Sequence, residues 1–167
     1  QTSIVGTQIF NGTSSPATLT YTVTPTSADG CEGDDFTIII TVNPEPQISD
    51  SSHTICSGES VIGASFEDSD VVPTGTTYTW GNPVSSPSGV VTGGQSGTSQ
   101  TSIVGTQLFN GTSSPATLTY TVTPTSADGC IGDDFTIIIT VNPVVEIVTI
   151  NDLVVCNDEL TTIDFTT

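Results

Sequence analysis

The most regular pattern in the chain is an alternation of apolar residues with threonine. Residues 116–123 read ATLTYTVT, and residues 135–141 read FTIIITV after a polar loop that contains glycine and aspartate. An apolar residue at every second position is typical of a β-strand that buries one face, and threonine and β-branched residues suit a pleated surface. The pattern therefore predicts a hairpin of two β-strands.

This hairpin belongs to a longer stretch that occurs twice. Residues 1–44 recur as residues 100–143, and the two copies differ only where Ile9 corresponds to Leu108 and Glu32 to Ile131. A near-identical repeat at the length of a domain is typical of a tandem array.

The offset of 99 residues between the copies divides the chain into three units. The segment Asn43-Pro44-Glu45-Pro46 marks the first boundary, because a short, stiff, proline-rich stretch is typical of a linker. The predicted pieces are the C-terminal part of a first unit at 1–44, a complete unit at 45–143 and the N-terminal part of a third unit at 144–167.

The complete unit has the pattern of an all-β domain. Turn signals rich in glycine, serine and proline separate six or seven short strands, and no stretch shows a helical period. That number and spacing of strands are typical of a β-sandwich. The predicted strands are 47–49 with 53–56, 61–66, 76–80, 101–109, 116–123 and 135–142, a short edge strand at 90–91, and residues 1–10 in the first unit.

The charge balance excludes several classes of function. The 167 residues contain 18 acidic side chains, no lysine and no arginine, which gives a net charge of −18. A chain without cations has no surface for nucleic-acid phosphates, and an anionic membrane surface would repel it. No apolar stretch is long enough to span a bilayer. The sequence thus predicts no nucleic-acid partner and no direct membrane insertion.

The four cysteines occur as two per unit, which predicts one disulfide per unit and an oxidising compartment. The alternatives are Cys56–Cys130 within one unit, Cys31–Cys56 across the linker, and free thiols. The prediction favours Cys56–Cys130, because Cys31 precedes a strand that must run the length of its own domain, away from Cys56. Cys31 and Cys156 would then pair with cysteines outside these residues.

Two acidic loops are candidates for a weak calcium site, since calcium prefers six to eight oxygen ligands. Asp133 and Asp134 follow a glycine, and Glu67, Asp68 and Asp70 form a dense cluster in another loop. Neither loop has the spacing of an EF-hand or of a calcium-binding nonapeptide repeat, so ordinary solvated carboxylates are the alternative. The sequence predicts no other cofactor.

The aromatic residues are predicted to belong to the core. Tyr78 and Trp80 share one face of a strand, and Tyr120 lies on the apolar face of the hairpin. A tryptophan on the third strand of a sandwich is usually a core residue, although an exposed one could stack on a sugar.

No pattern in the sequence predicts an active site. The abundant serine and threonine residues have no histidine base beside them, and no carboxylate pair is placed in contrasting environments. Near-verbatim repetition also favours mechanical length over a unique site. The chain is therefore predicted not to be an enzyme.

Several phrases of the sequence resemble a known repeat family. HTICSGESV, TTYTWG, TLTYTVTPTSADGCIGDDFTIIITVNP and the NPEP junction are similar to the PKD-like, immunoglobulin-like tandem repeats of very large surface proteins from gliding Bacteroidota. The resemblance covers the whole chain. It implies tandem Ig-like/PKD-like β-sandwich domains in a linear array, secretion through the type IX route, and an extended surface filament that acts in adhesion during gliding motility.

The predicted function is therefore structural. The chain is expected to be a repeat of a secreted, extracellular, cell-surface adhesin filament that provides length and surface attachment, with neighbouring repeats of the same chain as its partners. One alternative is a module that binds surface polysaccharide by avidity. A second is a spacer domain of a secreted hydrolase. Other filament chains are a further predicted partner.

Overall fold

The computed structural model describes residues 6, 8–62, 70–101, 104–145 and 156–158, and every helix or strand in them is a β-strand. The predicted all-β class is thereby confirmed. The strands are β1 Ala17–Val23, β2 Phe36–Val42, β3 Ser51–Cys56, β4 Ser60–Ile62, β5 Thr77–Trp80, β6 Val84–Ser86, β7 Val91–Thr92, β8 Gly97–Gln100, β9 Val104–Gln107, β10 Phe109–Asn110, β11 Ala116–Thr125 and β12 Phe135–Asn142.

The repeated sequence folds into the same hairpin in both copies. β1 pairs antiparallel with β2, and β11 with β12, in the same register: Tyr21 is opposite Ile38 as Tyr120 is opposite Ile137. The alternation of apolar residues and threonine sets this register, because a slip by one residue would exchange the two faces of the hairpin.

The second hairpin is the centre of a six-stranded sheet with the order β3-β12-β11-β5-β8, in which β6 also pairs with β11. The pairs within this sheet are antiparallel except one. β3 runs parallel to β12, with Ser51 opposite Ile137 and Cys56 opposite Asn142. This parallel pair decides which end of the unit each cysteine occupies.

A second layer covers one face of the large sheet. β4 pairs with β9 and β7 pairs with β10, and these two small sheets contribute to the same core as the large one. The two packed layers form a β-sandwich. The buried apolar residues are Val61, Tyr78, Trp80, Val91, Leu108, Ala116, Leu118, Tyr120, Val122, Phe135, Ile137, Ile139 and Val141.

The aromatic residues predicted for the core are buried in it. Tyr78 meets Phe135 edge to face, with ring centroids 6.4 Å apart. Trp80 donates its indole N–H to the carbonyl oxygen of Gln95 at 2.8 Å, which satisfies the one polar atom of the ring. Gly97 lies against the same ring, where an added Cβ would come within 2.4 Å.

The two hairpins differ in what covers them. Leu118 is 2% exposed, but its counterpart Leu19 is 38% exposed; Phe135 is 2% exposed, but Phe36 is 48% exposed. The strand β11 also continues beyond β1 to Thr125, because β5 pairs with its second half. The first hairpin has the local structure of the unit without the buried core.

Several predicted strands differ from the observed ones. Residues 6 and 8–10 are not in a strand, and the predicted strand at 101–109 is divided between β9 and β10. The strands β6 and β8 were not predicted, because serine and glycine dominate them. Residues 63–66 of one predicted strand lie outside the described residues. The described part of the chain contains no helix with the length and hydrophobicity needed to cross a membrane.

Candidate functional site

The two ends of the complete unit are the candidate functional site, because units of an array would meet there. The linker pole comprises residues 44–50 and 124–136. The turn pole comprises residues 56–59, 107–111 and 141–143. Strand β12 runs from the linker pole at Phe135 to the turn pole at Asn142.

At the linker pole, the linker is held by backbone contacts. Gln47 and Val71 exchange two backbone hydrogen bonds of 2.9 and 2.8 Å, and the Thr136 N–H donates to a carboxylate oxygen of Asp50 at 2.6 Å. Gly132 lies so close to the linker that an added Cβ would be 2.0 Å from the carbonyl oxygen of Pro46. Pro44 and Pro46 are themselves fully buried. The linker is therefore packed on the unit that follows it.

At the turn pole, the chain after β3 is fixed to the repeated stretch. The Ser57 N–H donates to the carbonyl of Asn142 at 2.8 Å, and the Gly58 N–H donates to that of Leu108 at 2.7 Å. Gly58 has a φ of +91°, a conformation that glycine adopts at no steric cost. Glu59 accepts the Cys56 N–H at 2.8 Å and so closes the turn.

Asn110 is the buried polar centre of the turn pole. Its side-chain NH₂ donates to the carbonyls of Ser114 and Val141, both at 2.8 Å, and its Oδ1 accepts the N–H and the hydroxyl of Thr112. The amide of Asn110 is fully used inside the protein, which the asparagine-glycine turn signal could have suggested.

The cysteines do not form the bond that the sequence predicts. Cys56 and Cys130 are free thiols, and so is Cys31. Cys56 ends β3 opposite Asn142, at the turn pole, whereas Cys130 precedes the start of β12, at the linker pole. The seven residue steps along β12 correspond to about 23 Å, and the Cα atoms of a disulfide lie about 4.4–6.8 Å apart. The parallel direction of β3 thus separates the two thiols.

The acidic residues predicted for calcium have other partners in the part that the structure describes. Asp134 accepts the hydroxyl of Thr123 at 2.5 Å, and Asp70 accepts both the N–H and the hydroxyl of Ser49. Asp133 is exposed. Glu67 and Asp68 lie outside the described residues, and within the described ones no group of three or more potential ligands is close enough to hold a metal. The calcium site stays a prediction.

Two tyrosines in the core have shifted pKa values. Burial, and to a smaller extent the charge of Asp70, raises the pKa of Tyr78 to about 12. Burial also raises the pKa of Tyr120 above its usual value. Both hydroxyls therefore keep their proton to a higher pH in the folded unit than in the unfolded chain.

A groove of about 490 Å³ lies beside β3 and β4. Within the described residues, the buried His53 Nε2 and Ser51 Oγ have no hydrogen-bond partner. Sequence reasoning did not predict this groove, since its walls come from two strands that the alternation pattern barely marks. The residues that line it are His53, Thr54, Ile55, Glu59, Ser60 and Val61.

The sequence of the chain matches a known domain family. A family model described as a PKD-like domain matches residues 1–46 and 53–145. No curated protein matches the chain.

Proposed function

Because this chain belongs to the PKD-like domain family, we propose that it is a structural stretch of tandem β-sandwich units in a secreted, extended cell-surface adhesin filament. The proposed units are 1–44, 45–143 and 144–167, and each has its neighbours in the same chain as partners. Their role is to provide length and surface attachment. The unit carries no catalytic chemistry in this proposal.

The observation that carries the proposal is the repeat together with its folding. Residues 1–44 and 100–143 share their sequence and their local hydrogen bonds: Asn11 bonds to the carbonyl of Val42 as Asn110 bonds to that of Val141, both at 2.8 Å. A specialised site is normally unique, whereas a structural element that supplies length can be copied without change. The near-identity of the two copies therefore favours a spacer.

The charge of the chain suits this role. With 18 acidic residues and no lysine or arginine, neighbouring filaments repel each other and stay soluble. A chain without lysine and arginine also offers no cleavage site to trypsin-like proteases outside the cell. The resemblance of its phrases to repeats of gliding Bacteroidota supports an extracellular location, the type IX route and a part in gliding motility.

The array can be tested by its length. A strand of about nine residues and a junction give each unit a length of about 30–40 Å. We expect small-angle X-ray scattering to show that an added copy of residues 45–143 lengthens the maximum dimension by that amount. If the radius of gyration instead increases only as much as expected for a compact globule of the larger mass, the array would be contradicted.

The role at the cell surface needs an image of the native assembly. Antibodies raised against residues 45–143 and visualised by immunogold electron microscopy should label long filaments on the cell. Label confined to a compact soluble enzyme would support a hydrolase spacer instead. Binding of the isolated chain to a polysaccharide array, increasing with repeat number, would support the carbohydrate-binding alternative.

A further inference from the structure

The cysteines of the complete unit lie at opposite poles, and each is presented in a fixed way. The Cys130 N–H donates to the Ser126 hydroxyl at 3.1 Å, and the Ser126 N–H donates to the carbonyl of Cys130 at 2.8 Å. Cys31 repeats both contacts with Ser27. Cys56 is exposed and is held by Glu59 at the opposite end of the sheet. We call Cys56 the turn cysteine and Cys130 the loop cysteine of the complete unit. A tandem array therefore places the turn cysteine of one unit at the end that faces the loop cysteine of the next unit.

The linker connects these two ends through a short stretch of chain. Cys130 is two residues from Gly132, whose backbone contacts Pro46. Pro46 is three residues from Asn43, and Asn43 corresponds by the repeat to Asn142, the residue opposite Cys56. Three residues span at most about 11 Å. The turn cysteine of the first unit thus belongs beside a residue that is one short linker away from Cys130.

The surface of the first copy agrees with this placement. In the complete unit, the turn after Cys56 bonds to Leu108 and Asn110. The corresponding residues Ile9 and Asn11 line a groove of about 90 Å³, and its other wall includes linker residues of the next unit. A cysteine turn in that position would contact the linker directly. The residues that line the groove are Ile9, Phe10, Asn11, Gly12, Val42, Asn43, Glu45 and Gln47.

We propose that successive units are joined covalently by a disulfide between the turn cysteine of one unit and the loop cysteine of the next. This inference rests on the tandem array proposed above. Cys130 bonds to the counterpart of Cys56 in the unit of residues 1–44, and Cys56 bonds to the counterpart of Cys130 in the unit that starts at Val144. Each linker is then bridged, so that tension along the filament passes through the disulfide as well as through the peptide linker.

The bond forms by thiol–disulfide exchange with a disulfide oxidant such as oxidised glutathione. The thiolate of one cysteine attacks the glutathione disulfide and releases one glutathione thiolate; the second cysteine's thiolate attacks the mixed disulfide and releases the other. The two cysteines lose two electrons and two protons, and the glutathione disulfide gains both as two thiols.

The test uses this chain with a copy of residues 45–99 placed directly before Gln1. The copy completes the first unit and adds a counterpart of Cys56, and the substitution Cys56→Ser in the second unit makes that counterpart unique. After equilibration in glutathione redox buffer, the variant is cleaved at aspartate and glutamate and the disulfide-linked peptides are identified by mass spectrometry. We expect the added cysteine to be linked to Cys130.

Matched variants distinguish the outcomes. Cys130→Ser should abolish the link, and Cys31→Ser should preserve it. The peptides that contain Cys31 and Cys130 can be told apart by mass, because Glu32 of the first copy corresponds to Ile131 of the second. A link to Cys31, a Cys56–Cys130 link in the original chain, or thiols that stay free would overturn the proposal. Small-angle scattering of the reduced chain with a further copy of residues 45–143 separates this failure from failure of the array, since each added unit lengthens the array by about 30–40 Å whether or not the bond forms.

Discussion

Asn110 illustrates how much a single side chain contributes at the turn pole. It is buried, and its amide bridges two backbone carbonyls and Thr112. Asn110→Ala removes all of these hydrogen bonds at a buried position, which should lower the free energy of unfolding of the complete unit by about 1–3 kcal/mol. Urea denaturation followed by the fluorescence of Trp80, the only tryptophan, measures this transition.

Asn11→Ala is the matched control for that substitution. Asn11 makes the same contacts, but it lies in the hairpin whose apolar residues are exposed. The transition reported by Trp80 should therefore keep its midpoint in Asn11→Ala. Equal losses for the two variants would contradict a specific contribution of the buried Asn110 to the stability of the complete unit.

Tyr78 makes the stability of the unit depend on pH in the alkaline range. Its pKa is raised from 10.0 to about 12 in the folded unit, chiefly by burial. Between these pH values the unfolded chain loses the phenolic proton while the folded unit keeps it, so the free energy of unfolding falls as the pH rises through the window. Tyr78→Phe has no such proton, and its stability should fall less steeply between pH 10 and pH 12.

Denaturant titrations at pH 9, 10, 11 and 12 measure the two slopes. Burial also raises the pKa of Tyr120, so a remaining slope is expected in Tyr78→Phe and a flatter one in the variant that also carries Tyr120→Phe. The same slope in wild type and both variants would assign the alkaline loss to other groups.

The elements that the sequence predicts best are those with the strongest alternation. β12 was predicted at 135–142 and lies at Phe135–Asn142, because every second residue is apolar and enters the core. β11 extends past Pro124, where the prediction ended the strand. Pro124 accepts a hydrogen bond from Gly132 with its carbonyl, and it is opposite Tyr78 on β5. Tertiary pairing with β5 therefore extends a strand that local signals would end.

The direction of β3 could not be predicted from the alternation pattern. Alternation gives the buried face of a strand but not whether it runs parallel or antiparallel to its neighbour. An antiparallel β3 would have brought Cys56 towards the loop of Cys130, as the predicted disulfide requires. The parallel pair places the two cysteines at opposite poles instead. The sequence therefore gives the positions of the two cysteines along the chain but not their arrangement in the fold.

The linker and the loop that contains Gly132 form one packed element, and the repeat supplies its own control. A Cβ at position 132 would lie 2.0 Å from the carbonyl oxygen of Pro46, whereas one at Gly33 would meet only Pro25 Cγ, at 3.2 Å, and the carbonyl oxygen of Pro25 at 3.7 Å. Gly132→Ala must displace backbone and should destabilise the unit by about 1–3 kcal/mol.

Hydrogen exchange shows whether Gly132→Ala displaces the linker. The Gln47 N–H, which is bonded to Val71, should exchange faster in Gly132→Ala than in wild type, and it should be unchanged in Gly33→Ala. Unchanged protection of Gln47 in both variants would mean that the linker is not held by this contact.

At the scale of the whole molecule, the charge opposes compactness. The net charge is −18 and no cationic side chain is present to offset it, so like-charge repulsion destabilises the folded chain at low salt. Raising sodium chloride from 0.01 to 0.15 M shortens the screening length from about 30 to about 8 Å. We expect the midpoint of thermal unfolding to rise across this range, and a constant or falling midpoint would contradict the argument.

Divalent ions separate screening from specific binding in the same measurement. Magnesium and calcium chloride at equal concentration screen the carboxylates equally, so any difference between them reports a site that selects calcium by its size and ligand number. A weak calcium site at Asp70 or Asp133 and Asp134 should raise the unfolding midpoint more in calcium than in magnesium. Asp134→Asn and Asp35→Asn change equivalent positions of the two copies and so locate the effect. If only Asp134→Asn abolishes the difference between the midpoints in calcium and in magnesium, the site belongs to the complete unit. Equal midpoints in both salts before any substitution would leave screening as the whole effect.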